Sequence, residues 1–234
     1  MKTVDSTRLI VVSDIHSNHT ALKQVLEDAG DFDAAICAGD VIGYGPEPRK
    51  CIDTLKRRDF KCVKGNHDQA AVTADTTRLN PRAAEALTIN RGLLEPKHTS
   101  WLGRLRENLT FDHENAKIAV FHGSPQFPTD EYVYPAEAQR RAEELLGATG
   151  SDLLILGHTH IPFVHRLEGR ALMNPGSVGQ PRDGDPRASY MLVDITECGF
   201  EVSHRRVEYD IEETASKMHE LRLPASLADR LYVG

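Results

Sequence analysis

Hydrophobic residues fall in short runs along the chain, and five of these runs stop at side chains able to bind metal or phosphate. RLIVVSDIH ends in Asp14 and His16, AAICAGD in Asp40, KCVKGNHD in Asn66 and His67, KIAVFHG in His122, and LLILGHTH in His158 and His160. Runs of this length, bounded by glycine or polar residues, read as strands buried on both faces. Between most of them the apolar spacing turns helical. Ala21, Leu22, Val25, Leu26 and Ala29 share one face, Ile52 and Leu55 another, and Ala138, Ala142, Leu145 and Leu146 a third. The order β-α-β-α-β predicts parallel strands joined by helical crossovers. Ligands of such sheets gather outside the carboxyl ends of the strands, so the five polar tips converge on one crevice.

Residues 80–108 read as two helices, with Ala83, Ala84, Leu87, Leu93 and Leu94 in the first, a break at Pro96, and Trp101, Leu102 and Leu105 beyond it. They are expected to form a helical insertion covering the sheet edge. After His160, residues 163–167, 171–174, 189–195 and 200–207 have the texture of strands separated by turns, and a second, more antiparallel sheet is expected from them. Apart from the loop NPGSVGQPRDGDPR there is no linker or internal repeat, so residues 1–234 read as one domain of two layered sheets with helices outside.

Composition adds exclusions. A formal net charge of -7 argues against stable nucleic-acid binding, which draws on basic groups that neutralise phosphates. Cys37, Cys51, Cys62 and Cys198 contain no C-x-x-C pair and read as small buried hydrophobes in a reducing compartment. The apolar stretch of residues 9–12 is too short for a signal-peptide core or a membrane span, so a cytoplasmic location without membrane partners is expected. Homo-oligomerisation is compatible with the sequence.

Asp14 and His16 are spaced i, i+2, which in an extended segment puts both side chains on one side, and His158 and His160 repeat the device. Two carboxylates, an amide and several imidazoles make a mixed oxygen and nitrogen donor set suited to Mn, Fe, Ni, Co or Zn and unsuited to an all-oxygen Ca or Mg cage. Asn18 is placed to cap the helix that follows it, with phosphate contact as a second role. Asn174-Pro175-Gly176 reads as a turn closing the crevice. His19, His98, His113, His165, His204 and His219 read as surface or helix-face residues.

The ordered set D-x-H, GD, GNHD, H and GHTH resembles the calcineurin-like metallophosphoesterases. DIHSN, GDVIGYGP, HGSP, GHTHIPF and NPGSVGQPRDGDPRASY extend the likeness to the small bacterial and archaeal phosphoesterases of that superfamily, over nearly the whole chain. The resemblance implies a four-layer α/β/β/α sandwich of two mixed β-sheets flanked by helices. It implies two divalent transition-metal ions, Mn first among them: Asp14, His16 and His160 would hold one, Asn66, His122 and His158 the other, and Asp40 would bridge them. A metal-bridging hydroxide would attack phosphorus, with His67 beside the metals protonating the leaving group. Asp40 and His67 are thus the expected catalytic residues, and Asn18, Asn66, His67 and Arg182 the expected substrate contacts. Asp68 is a candidate to orient His67, and a residue distant in sequence is an equal alternative.

The implied substrate is a small phosphodiester or nucleotide-like molecule. The alternatives are a phosphomonoester and, from another class, a non-catalytic binding scaffold of the same fold. Phosphoprotein phosphatases of the superfamily carry GDxxDRG, whereas residues 39–45 read GDVIGYG, so Tyr44 stands where their phosphate-binding arginine would be. That departure argues against the eukaryotic type of protein phosphatase. Arg182 and Arg187 either reach a distal phosphate or base or are solvated loop residues, and Tyr44 either stacks on a substrate ring or simply packs.

Overall fold

A computed structural model describes residues 6–234 of the chain. β1 (Thr7–Val12), β2 (Ala34–Cys37) and β3 (Lys61–Cys62) lie side by side and parallel, joined by α1 (His19–Ala29) and α2 (Pro48–Arg57). β3 leads into α3 (Asn66–Thr73), followed by α4 (Pro81–Leu93) and α5 (Pro96–Arg104). β4 (Asn108–His113) and β5 (Ala116–Phe121) form a hairpin, α6 (Pro135–Thr149) returns to β6 (Leu153–Ile155), and β7 (Phe163–Leu167) and β8 (Arg170–Asn174) form a second hairpin. β9 (Ala188–Thr196), β10 (Gly199–Val207), α7 (Ile211–Glu220) and α8 (Ala225–Arg230) complete the described residues.

The strands form two mixed five-stranded sheets, ordered β10-β9-β1-β2-β3 and β4-β5-β6-β8-β7. Strand parity explains why the runs are apolar throughout. Leu9, Val11 and Ile36 point between the sheets, where they meet Ile118, Val120, Leu153 and Ile155, while Ile10, Val12 and Cys37 point outward under α1 and α2. On the other side Ala119, Leu154 and Leu172 pack under Ala138, Ala142 and Leu145 of α6. Each strand is sealed on both faces, which leaves only its carboxyl end for polar chemistry. Burying each large aliphatic side chain contributes about 1.5–3 kcal/mol.

Several expectations need correction. The strands after His160 do not build a sheet of their own: β7 and β8 complete the sheet of β5 and β6, whereas β9 pairs antiparallel with β1 in the other. Texture identifies a strand, but the partner is chosen by which edge lacks a neighbour, and β9 is apolar enough to lie between β1 and β10. Cys37, Cys51 and Cys62 are buried as expected, but Cys198 is exposed at the β9–β10 turn. His98 is buried, because at the third position of α5 its Nδ1 accepts the Glu95 backbone N–H at 3.1 Å. α5 lies beside β3, the edge strand, and Val63 bridges to Arg106 just beyond the helix. Among the described residues no helix is long and apolar enough to cross a membrane.

Candidate metal centre

The loops leaving β1 and β2 run together and carry the first donors. Backbone N–H groups of Asp14, His16 and Ser17 donate to the carbonyls of Gly39, Asp40 and Val41, each at 3.0 Å. This tie requires an unusual backbone: Asp14, His16, Ser17 and Asp40 have φ between 47° and 58°, and His158 and His160 have φ of 69° and 60°. The paired donors therefore do not share a side by extended alternation, as the i, i+2 spacing suggested. They converge because left-handed residues fold each loop back on its strand end. Such conformations cost roughly 1–3 kcal/mol each and cluster at functional sites.

Seven side chains meet at this point, all but Asn66 fully buried. On one side Asp14 Oδ1 lies 3.2 Å from His160 Nε2 and 3.7 Å from His16 Nε2, and the two imidazole nitrogens are 3.1 Å apart. On the other, His122 Nε2 lies 3.1 Å from both His158 Nδ1 and Asn66 Oδ1. Asp40 stands between them, its Oδ2 3.6 Å from His16 Nε2 and 3.4 Å from His122 Nε2. The other oxygens are held by the protein: Asp40 Oδ1 accepts the His67 backbone N–H, and Asp14 Oδ2 accepts the Ser13 hydroxyl and the His158 N–H. Gly65 has no side chain for a steric reason, since a Cβ there would strike the Asp40 carboxylate.

The ring tautomers follow from outer contacts. The Nδ1–H groups of His16, His122 and His160 donate to the carbonyls of Ile42, Ala38 and Gln180 at 3.1, 2.8 and 2.5 Å. Each Nε2 then turns a lone pair inward. In neutral rings the lone pairs of His16 and His160 would face each other at 3.1 Å, an arrangement that calls for a cation between them. Asp14 Oδ1 is buried with no hydrogen-bond partner, which is also the state of an atom reserved for an ion. The donors form overlapping groups, Asp14-His16-His160 and Asp40-His122-His158, and His16-Asp40-His67 is a third. Residues of these kinds, with mixed nitrogen and oxygen donors and two carboxylates, fit a pair of divalent transition-metal ions.

Electrostatics divide the groups. Burial would raise Asp14 and Asp40, but His160 and His122 outweigh it at Asp14, and His122, His67 and His16 at Asp40, so both stay ionised. Burial pushes His16 and His160 down, His67 down to about 4 and His158 down to about 3, so all four are neutral at physiological pH. At His122 burial acts the same way but Asp40 reverses it and lifts the ring to about 10.

His67 sits at the start of α3, its ring edge-on to His16 at 4.8 Å and beside Tyr44 at 4.7 Å, with Nδ1 unpartnered. Asp68 does not orient it: that carboxylate accepts the N–H groups of Val41, Ile42 and Gly65 and so ties the Asp40 and Asn66 loops together. The side chain of Asn18 is committed to the protein, accepting from the Ala21 N–H as the cap of α1 and donating to Gly179 O. Arg182 is half-buried, its Nη2 donating to the Tyr44 hydroxyl at 3.2 Å, and its backbone N–H reaches His160 O. Arg187 is exposed and paired with Asp185. Tyr44 is buried against His16 and His67, so it packs within the site.

Three further residues support the site, and of these only Asn174 belongs to a stretch with a sequence motif. Asn90 on α4 accepts from Ser17 and Gly43 and donates to Gly45 O, fixing the loop that presents Tyr44. It occupies the fourth position of the buried stripe Ala83, Ala86, Leu87, Asn90, and a polar residue in an apolar register is the signal that could have found it. Asn174 closes the turn with Gly176 and donates to Gly157 O and Thr159, bracing the loop of His158 and His160. Tyr132 stacks on His158 at 3.7 Å, with Tyr134 stacked on it in turn.

The family model described as the calcineurin-like phosphoesterase superfamily domain matches residues 8–198, and the chain belongs to this superfamily. It is 34% identical to the uncharacterized protein MJ0912 of Methanocaldococcus jannaschii, over 97% of this chain and 98% of that one. A crystal structure of a metallophosphoesterase from Sphaerobacter thermophilus superposes with a TM-score of 0.86 at 36% identity, covering 98% of this chain and all of the other. Phosphodiesterase YfcE of Escherichia coli K12 is 26% identical over 80% of this chain and 87% of its own length. Membership makes the protein a metal-dependent hydrolase of phosphoesters.

Proposed function

We propose that the protein is a dinuclear metal-dependent phosphoesterase of the cytoplasm, acting on phosphodiesters or nucleotide-like substrates. The observation that carries this reading is the position of Asp40 Oδ2 between two donor groups, 3.6 Å from His16 and 3.4 Å from His122. Asp14, His16 and His160 would hold one ion and Asn66, His122 and His158 the other. Divalent ions bound there polarise phosphoryl oxygens and lower the pKa of water from about 15.7 to roughly 7.

The chain's own residues do the rest. His67, its ring buried against His16 and Tyr44 and its backbone N–H on Asp40 Oδ1, is the group that gives a proton to the leaving oxygen or steadies its charge. Asn66 at the first turn of α3 adds an amide for a phosphoryl oxygen. Tyr44, Asn90 and Asp68 hold the Gly43–Gly45 and Gly65 loops so that this geometry is preset. The stacked rings of Tyr132 and Tyr134, half exposed beside His158, offer an aromatic surface for a nucleobase or aryl group, which favours a diester carrying one over a simple phosphomonoester.

The test is Mn-dependent hydrolysis of bis(p-nitrophenyl) phosphate beside p-nitrophenyl phosphate. Diester turnover that needs both Mn and His67 is the expected result. Monoester preference would move the protein to the phosphatases, and no turnover of either ester with metal bound would favour the non-catalytic scaffold.

A further inference from the structure

Beside the metal centre, on the side of Tyr44, lies an open cavity of about 560 Å³ whose lining includes Tyr44, Asn80, Arg82, Gln180, Arg182 and Arg230. Three guanidinium groups line it and no carboxylate does, in a chain whose net charge is -7. Among the described residues none of the three has an acidic partner. Arg182 donates only to the Tyr44 hydroxyl and the Gln180 side chain, and the buried Nε of Arg230 has no partner at all. Half of the arginines elsewhere in the chain do find one, such as Arg8 with Asp194, Arg141 with Glu131, and Arg206 with Asp183. Arg82 stands in the first turn of α4, capped by Asn80, so the positive end of a thirteen-residue helix points the same way.

The cavity is joined to the centre by shared residues. Tyr44 lines it and lies 4.5 and 4.7 Å from the rings of His16 and His67, and the Gln180 backbone holds His160 Nδ1. The Arg182 guanidinium lies 5.8 Å from the Tyr44 ring, so one aromatic ring separates it from the imidazoles. We propose that Arg82, Arg182 and Arg230 form a subsite for a second phosphate, and that the substrate is a phosphoric ester carrying a further phosphate beyond the one held at the metal centre. This rests on the phosphoesterase reading for the first phosphate and names the substrate class more narrowly. Arginine suits the task because its planar fork binds phosphate oxygens bidentately.

The test compares AMP with α,β-methylene-ADP, which adds one phosphoryl group through a linkage that resists cleavage, by calorimetry on the Mn-loaded protein. The methylene diphosphate is expected to bind at least ten-fold more tightly, with the preference lost in the Arg82→Ala/Arg230→Ala variant. Arg82 is exposed, so Arg82→Glu leaves the fold intact and is expected to cut the preference even if the double variant folds poorly. Equal affinities in the wild type, or a preference that survives these substitutions, would overturn the subsite. Hydrolysis of bis(p-nitrophenyl) phosphate without the preference sinks the subsite alone; the preference without hydrolysis sinks the esterase reading and leaves the anion site standing.

Discussion

His16 and His160, 144 residues apart in sequence, point their Nε2 atoms at each other across 3.1 Å, each with its Nδ1–H fixed on a backbone carbonyl. The two rings come from different sheets, β1 and β6, so the contact couples the halves of the sandwich through the site. Without a cation, like poles face each other inside a buried crevice. The fold therefore gains stability from whatever positive charge enters there.

Metal removal should accordingly be felt as unfolding. An ion present at 100 times its dissociation constant adds about 2.7 kcal/mol to a protein that binds it only when folded. Thermal melts with Mn and after chelation are expected to differ by several degrees, and Asp40→Ala should lose most of the difference. Equal melting temperatures in the wild type would count against a built metal site.

His67→Ala should separate chemistry from metal binding. Its ring supplies no part of the two principal donor groups, so metal content is expected to hold while kcat falls about 10²- to 10⁴-fold. Mass-spectrometric metal analysis beside initial rates checks both. A fall in metal content matching the fall in rate would make His67 a metal ligand, in line with the third cluster it forms with His16 and Asp40.

Asn90→Ala leaves the Gly43 N–H and the Gly45 carbonyl buried without this partner, at a cost of about 1–3 kcal/mol. Because the freed loop carries Tyr44 against His16 and His67, KM is expected to rise as well. Chemical denaturation and steady-state kinetics on the same variant test the two effects, and a stable variant with wild-type KM would remove Asn90 from the account.

Glu47 gives a pH signature away from the centre. Burial would raise it, but Lys50 at 2.6 Å and Lys217 at 3.0 Å hold it below the usual carboxylate range. A group depressed in the folded state contributes stability fully above its unfolded value, about 4.3, and loses it as pH falls through the folded value. Glu47→Gln should cost roughly 0.5–1 kcal/mol at pH 7. The gap between the two melting temperatures should close below pH 4; a constant gap would assign the effect to packing.

Much of this architecture was legible because both faces of the central strands are buried, which makes runs such as 9–12 and 153–156 apolar and throws every polar residue to the strand end. The clustering of candidate donor side chains at those strand ends was legible for the same reason. What escaped was set by contacts distant in sequence. The pairing of β9 with β1 depends on an open edge, the convergence of Asp14 with His16 depends on left-handed backbone in both loops, and α7 buries only Thr214, Ala215 and Met218. Arg230 lies in a six-residue helix with no motif, and only the folded chain brings it beside Arg182.

The most direct test of the central claim is electron paramagnetic resonance of the Mn-loaded protein together with its metal content, in the wild type and in Asp40→Ala. Two ions sharing the Asp40 carboxylate should give about two Mn per chain and an exchange-coupled spectrum that collapses to isolated-ion signals in the variant. One ion per chain with an uncoupled spectrum in the wild type, or coupling that survives the loss of Asp40, would contradict it.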